Sequence, residues 1–116
     1  MVPKINRIKK KKDFELIFKN SSSFKNNLFI LKVKENNLGL NRFGFVISSK
    51  VSKKAVIRNK IRRRLAEIIK SEIENIPLGT DLVFIALRGI EKKEFVDLKE
   101  AVKTTLSKIK LITKNV

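Results

Sequence analysis

The sequence predicts an α+β fold, a two-layer α/β sandwich with its elements in the order α-β-β-β-α-β-α. Apolar residues alternate, or run on, over strand-length stretches at Leu28–Lys34, Arg42–Ser49 and Asp81–Leu87. In other stretches they recur at helical spacing, around Phe14, across Ser52–Glu74 and across Glu91–Lys110. At 116 residues, with no internal repeat or linker, the chain suits a single domain with a modest core. This order gives a two-layer α/β sandwich, in which the third strand, the middle helix and the last strand could form a parallel crossover, right-handed by general statistics.

Each element has a local reason. Residues 1–12 are basic and hold no acid, and Val2, Ile5 and Ile8 are spaced to lay part of this arm on the core. Asp13 suits the cap of a short helix over Phe14–Asn20, in which Phe14, Ile17 and Phe18 share a face. Core packing alone is the plain explanation of that face; a pair of exposed rings is the alternative. Asn20–Ser23 is a loop, and Phe24-Lys25 a short edge strand. Glu35–Gly39 is a turn, so the strands on either side of it are expected to form an antiparallel hairpin. In the second of these, Phe43, Phe45 and Ile47 point one way and Val46 the other. Pro77 and Gly79 end the long middle helix. Asp81–Leu87 is almost continuously apolar, as a strand buried on both faces is. Gly89 breaks it, and the last helix carries Phe95, Leu98, Val102, Leu106 and Ile109 on one stripe.

The middle helix holds the most informative pattern. Ile57, Ile61, Leu65, Ile68 and Ile69 turn one face to a core, while Arg58, Lys60, Arg62, Arg63 and Arg64, with Asn59 among them, occupy the others. A solvated helix face normally mixes signs, but the only acid between Lys50 and Lys70 is Glu67. So many like charges repel one another, and a polyanion relieves that repulsion. Arginine dominates here, and its planar fork pairs with phosphate through two hydrogen bonds.

Composition narrows the function further. With 28 Lys and Arg against 11 Asp and Glu, the formal charge is +17. There is no cysteine and no histidine, which excludes thiolate nucleophiles, disulfides and the usual zinc sites. The glycines at 39, 44, 79 and 89 stand apart, so no phosphate loop is present. The acids form no evident catalytic pair, and the protein alone does not read as an enzyme. No run approaches transmembrane length and the basic N-terminus lacks a signal-peptide apolar stretch, so a cytoplasmic location is expected.

The run Ser48-Ser49-Lys50-Val51 followed by Ala55-Val56-Ile57-Arg58-Asn59-Lys60-Ile61-Arg62-Arg63 resembles the signature of bacterial ribonuclease P protein components, roughly S-K-K, a spacer, then A-V-x-R-N-R-I-K-R. Arg7–Lys12 with Asp13-Phe14 and Phe18 resembles that family's basic start and first helix, Gly44–Ser48 its third strand, and Asp81–Ala86 with Arg88 its last strand. The likeness runs from Arg7 to about Lys110. It implies a fold like domain 2 of ribosomal protein S5, with a left-handed β-α-β crossover where general statistics favour the right hand. It implies a protein subunit of the ribonucleoprotein that removes the 5′ leader from precursor tRNA, with catalysis by the RNA subunit.

The partners so implied are the catalytic RNA and precursor tRNA, with no membrane and no obligate protein partner. The implied cofactor is Mg²⁺, held by the RNA and the substrate rather than by protein side chains alone. Residue by residue, Arg58, Asn59, Lys60, Arg62 and Arg63 fall on positions that contact the catalytic RNA. Phe14, Phe18, Ile30, Lys32, Ser48 and Lys50 fall on the cleft for the single-stranded leader, where rings stack on bases and lysines follow the backbone. Lys12, Lys53, Lys54 and Arg88 are further candidate RNA contacts. Lys60 replaces a commoner arginine, and Lys32 an aromatic residue often found on the second strand. The spacer Val51–Lys54 is one residue longer than the commonest form. Without the resemblance, a small ribosomal protein or a basic module binding DNA or an anionic membrane would remain in play.

Overall fold

The structure, a computed structural model, describes residues 7–8 and 10–114, with side chains as far as Ile109. Its elements are α1 (Lys11–Lys19), β1 (Ser22–Lys25), β2 (Phe29–Glu35), β3 (Arg42–Val46), α2 (Ala55–Glu72), β4 (Thr80–Ala86) and α3 (Phe95–Lys114). Short 3₁₀ turns at Ile73–Asn75 and Ile90–Lys92 follow α2 and β4. This is the expected element order.

The strands lie in the order β1-β2-β4-β3. β4 is antiparallel to β2 and parallel to β3. Its sequence explains its central place. Every residue but Ile85 is buried, and a strand that apolar needs neighbours on both edges and cover on both faces. Leu82 and Phe84 join Phe29, Leu31 and Phe43 beneath α2 and α3, which contribute Ile61, Leu65, Ile68 and Ile69, and Leu98, Val102, Leu106 and Ile109. Phe84 anchors this layer, edge-on to Phe29 at 5.2 Å and stacked on Phe45 at 5.9 Å between ring centroids. Val83 faces the other way and packs with Ile8 and Ile17, beside Phe14, Val46 and Ile85. So α2 and α3 cover one face of the sheet, and the shorter α1 covers part of the other. Ile8 docks as the sequence suggests, whereas Val2 and Ile5 lie outside the described residues.

The β2–β3 hairpin is not formed, because β4 lies between the two strands. The link 36–41 wraps the entrance of β4 instead of folding back beside β2. The Asn36 N–H donates to the Gly79 carbonyl at 2.9 Å, the Thr80 N–H donates to Asn41 Oδ1 at 3.0 Å, and Asn37 takes a φ of 57° to make the bend. Pairing with the more apolar β4 outweighs sequence proximity.

Asp13 is not the cap of α1, which begins at Lys11 with Lys10 at the cap position and no side-chain cap bond. Asp13 sits in the first turn, where its charge suits the helix dipole, and pairs with Arg42. α2 starts two to three residues later than its pattern suggests, and a 3₁₀ turn takes up its predicted last turn. The predicted start of the last helix is likewise a separate 3₁₀ turn. β3 ends at Val46, and Ser48 leads into a turn.

Candidate nucleic-acid interface

α2 is built as its periodicity requires. Ile61, Leu65, Ile68 and Ile69 are buried, while Asn59, Lys60 and Arg63 are exposed and Arg58 and Arg62 half-exposed. The ion pairs among the described residues are Arg42 with Asp13, Arg42 with Asp81, and Lys103 with Glu72, and none neutralises a cation of α2. The first turn of α2 holds no acid, and Lys54 provides no side-chain cap, so the positive end of the helix dipole adds to the field.

Two of the arginines are pre-positioned by their neighbours. Arg58 Nη1 donates to the Ser52 carbonyl at 2.9 Å, tying the helix to the loop that feeds it. Arg62 Nη1 donates to Asn59 Oδ1 at 2.7 Å, one turn back. The sequence places these residues away from the apolar stripe, which is correct. It does not reveal that Asn59 and Arg62 are partners.

The second surface is the sheet face that α1 partly covers. Register puts Ser23, Lys32, Val83 and Gly44 in one row across this face, and Lys25, Ile30, Ile85 and Val46 in the next. Lys32 Nζ donates to Ser23 Oγ at 2.6 Å, which holds the ammonium over the β1–β2 edge. Phe14 lies over Gly44, where a Cβ would come within 2.8 Å of the Phe14 ring. The Phe14 and Phe18 rings are 6.3 Å apart and tilted by 38°. Phe14 is half-buried against the sheet, while Phe18 is 45% exposed. Of the face that Phe14, Ile17 and Phe18 share, only Ile17 is fully core.

Parallel β3 and β4 leave the sheet at the same end, so Ser48 and Lys50 meet Arg88 there, and Arg88 Nε donates to the Lys50 carbonyl at 3.1 Å. Ile30, at the start of antiparallel β2, is at that end too. Lys53 and Lys54 are exposed on the loop into α2, and Lys12 is exposed on α1. The fold therefore brings Phe14, Ile30 and Lys32 onto one sheet face, gathers Ser48, Lys50 and Arg88 at its rim, and joins that rim to α2 through the loop 47–54.

One cluster has no counterpart in the sequence reading. Arg42 donates from Nε and Nη2 to the two oxygens of Asp81 at 2.9 and 2.7 Å, and from Nη1 to Asp13 Oδ2 at 3.3 Å. Asn36 Nδ2 donates to Asp81 Oδ1 at 2.7 Å. The hydrogen bonds to Asp81 raise the pKa of Arg42 above its usual value, against the opposing effect of partial burial. This cluster latches α1 to the sheet. Only knowledge that residue 42 pairs with residue 81 would have exposed it, and that depends on the sheet order.

No three acidic side chains converge among the described residues in a way that would hold a metal ion, and no helix there is long and apolar enough to cross a membrane. The family model for ribonuclease P matches residues 2–110. The ribonuclease P protein component of Clostridium kluyveri is 38% identical over 106 residues, 90% of this chain and 94% of that protein. Among solved structures, the Staphylococcus aureus RNase P protein superposes with a TM-score of 0.81 at 30% identity, covering 88% of this chain and 93% of that one. The Thermotoga maritima RNase P protein gives 0.80 at 30% identity, covering 88% and 96%.

Proposed function

This chain belongs to the ribonuclease P protein family, the RNA-binding protein component of a tRNA-processing ribonucleoprotein, and from that premise we propose how it divides its surface between two RNAs. The exposed face of α2, with Arg58, Asn59, Lys60, Arg62 and Arg63, binds the catalytic RNA subunit. The α1 side of the sheet, with Phe14, Phe18, Ile30, Lys32, Ser48 and Lys50, holds the single-stranded 5′ leader of precursor tRNA. Lys12, Lys53, Lys54 and Arg88 extend the basic surface along the route between them. Endonucleolytic removal of the leader is then carried out by the RNA, and the protein alone is inactive.

The observation that carries this reading is that the cations of α2 have no acidic partner among the described residues. Arg58 and Arg62 lie one turn apart and are already oriented, so they meet phosphates with little further ordering cost. Phosphate contacts fix position without reading sequence, so recognition rests on RNA shape. On the leader face, Phe18 offers an exposed ring for stacking and Lys32 a charge for the backbone. In this reading Mg²⁺ is held by the RNA and the substrate rather than by protein side chains alone. The protein's contribution is to lower the repulsion between two polyanions and to hold the leader in line. In this reading its partners are RNAs, and it works in the cytoplasm, where precursor tRNA is processed.

The test is Arg58→Ala/Arg62→Ala/Arg63→Ala, measured for catalytic-RNA affinity across a salt series. Losing three phosphate contacts lowers the slope of log affinity against log salt by roughly 2–3. An unchanged slope with a marked loss of fold stability would mean that these arginines serve the fold and not the RNA.

A further inference from the structure

The part of the sheet face that α1 leaves open carries one ammonium group in each of three successive rows. α1 sits toward β3 and β4, with Phe14 over Gly44 and Ile17 against Val83, so the β1–β2 half of that face stays accessible. Cross-strand partners share a face, and so do residues two apart along a strand. Lys25 lies opposite Ile30, Lys32 opposite Ser23, and Lys34 opposite Asp81. The three lysines therefore stand in adjacent rows on the α1 side, about 6.6 Å from one row to the next along the strands. Lys25 is exposed, and Lys32 and Lys34 are half-exposed.

Among the described residues none of the three takes part in an ion pair. Asp81 is the cross-strand neighbour of Lys34, but its oxygens are taken by Arg42 Nε and Nη2 and by Asn36 Nδ2. Lys25 has a ready structural explanation, since a lysine on an edge strand discourages pairing with another sheet. Lys32 and Lys34 guard no edge, because β2 is paired on both sides, with β1 and with β4. Like charges in file repel one another, and a file of phosphates relieves that better than a single anion does. Proteins that hold single strands combine such a cationic track for the backbone with rings for the bases. Here α1 supplies the exposed ring of Phe18 beside the same face. The Lys25 row is nearest the rim of Ser48, Lys50 and Arg88, and the Lys34 row is farthest from it.

We propose that Lys25, Lys32 and Lys34 form a phosphate track for the leader, which runs from the rim along β2 with its backbone over the lysines and its bases turned toward α1. Lys25 then meets the nucleotides nearest the cleavage site, and Lys34 those farther toward the 5′ end. This rests on the assignment of the α1 side of the sheet to the leader, and adds to it two residues, a direction and an orientation of the strand.

Lys25→Gln and Lys34→Gln test it. Each variant is assembled with the catalytic RNA and titrated across a salt series with mature tRNA and with precursor tRNAs whose leaders are shortened stepwise from the 5′ end. With a long leader, each substitution should lower the slope of log affinity against log salt by roughly 0.7, the value for one phosphate of a single strand. Mature tRNA should show no change. As the leader shortens, the effect of Lys34→Gln should vanish before that of Lys25→Gln, and Lys34→Arg should keep the parent slope throughout. Unchanged slopes with the long leader overturn the track, and the opposite order of loss overturns its direction. An effect that ignores leader length, or extends to mature tRNA, would give these charges to the tRNA body or the catalytic RNA and overturn the proposal as well. So would a lower melting temperature of Lys34→Gln with unchanged slopes, which would make Lys34 the counter-charge of the Arg42–Asp81–Asp13 cluster. Phe18→Leu reports separately on the underlying assignment. If it weakens precursor binding while the lysine variants do not, the leader lies on this face with its backbone turned away from β2.

Discussion

Arg42→Met keeps the aliphatic stem at the sheet's edge and removes the guanidinium that joins α1 to β4. Asp81, with a side chain only 4% exposed, then loses two charge-assisted hydrogen bonds and keeps one from Asn36. Stranding one member of a buried pair costs about 3–5 kcal/mol. The Arg42 side chain is 20% exposed and Asn36 remains, so the expected loss is about 2–4 kcal/mol. For a domain of this size that lowers Tm by roughly 10–20 °C. Asp81→Asn should cost less, about 1–2 kcal/mol, because the stranded Arg42 is closer to solvent and still has Asp13. Urea unfolding at fixed sulfate measures both, and the m-value should not change. The same Arg42 variant should bind precursor tRNA less selectively, since Asp13 no longer fixes the start of α1. A loss below about 1 kcal/mol, or equal losses for the two variants, would refute the latch.

Gly44→Ala places a methyl group 2.8 Å from Phe14 Cε1 and 3.0 Å from Cζ, so the ring must swing off the sheet. Urea melts should show a loss of about 1–3 kcal/mol, and the preference for precursor over mature tRNA should fall with it. Phe18→Leu should leave stability within about 1 kcal/mol, because the ring is 45% exposed, yet weaken binding of the precursor alone by about 1–3 kcal/mol. Phe14→Leu should cost more stability; equal effects of either variant on precursor and mature tRNA would return that ring to the core. Millimolar sulfate or pyrophosphate should raise Tm, since an anion held only by the folded state stabilises it, by about 2.7 kcal/mol at a hundred times its Kd. A flat titration would show that the cationic sites are not preformed.

Element types were legible because each has a strong local cause. The stripe from Ile61 to Ile69 can only be a helix face, and Asp81–Leu87 has no polar side to offer solvent. Sheet order was not legible, because Glu35–Gly39 looks like a hairpin turn, and nothing local tells the chain that β4 will come between its flanks. The misplaced cap has the same origin: Asp13 looks like a cap until Arg42 is seen to claim it. The charged face of α2 could be read from residue spacing alone. The Asn59–Arg62 bond and the seat of Phe14 on Gly44 could not, since one depends on rotamers and the other on strands far apart in sequence.

The place of β4 also governs the order of events in folding. β2 and β3 each pair with β4 and not with each other, so beyond the β1–β2 ribbon no part of the sheet can close until residues 80–86 are available. Every larger pairing then closes a long loop at once, the kind of topology that folds slowly among domains of similar stability. On the ribosome, the cationic stretch of α2 emerges before the strand that forms the centre of its docking surface. During that interval it is an unsupported, highly charged segment, and its apolar stripe has nowhere to dock.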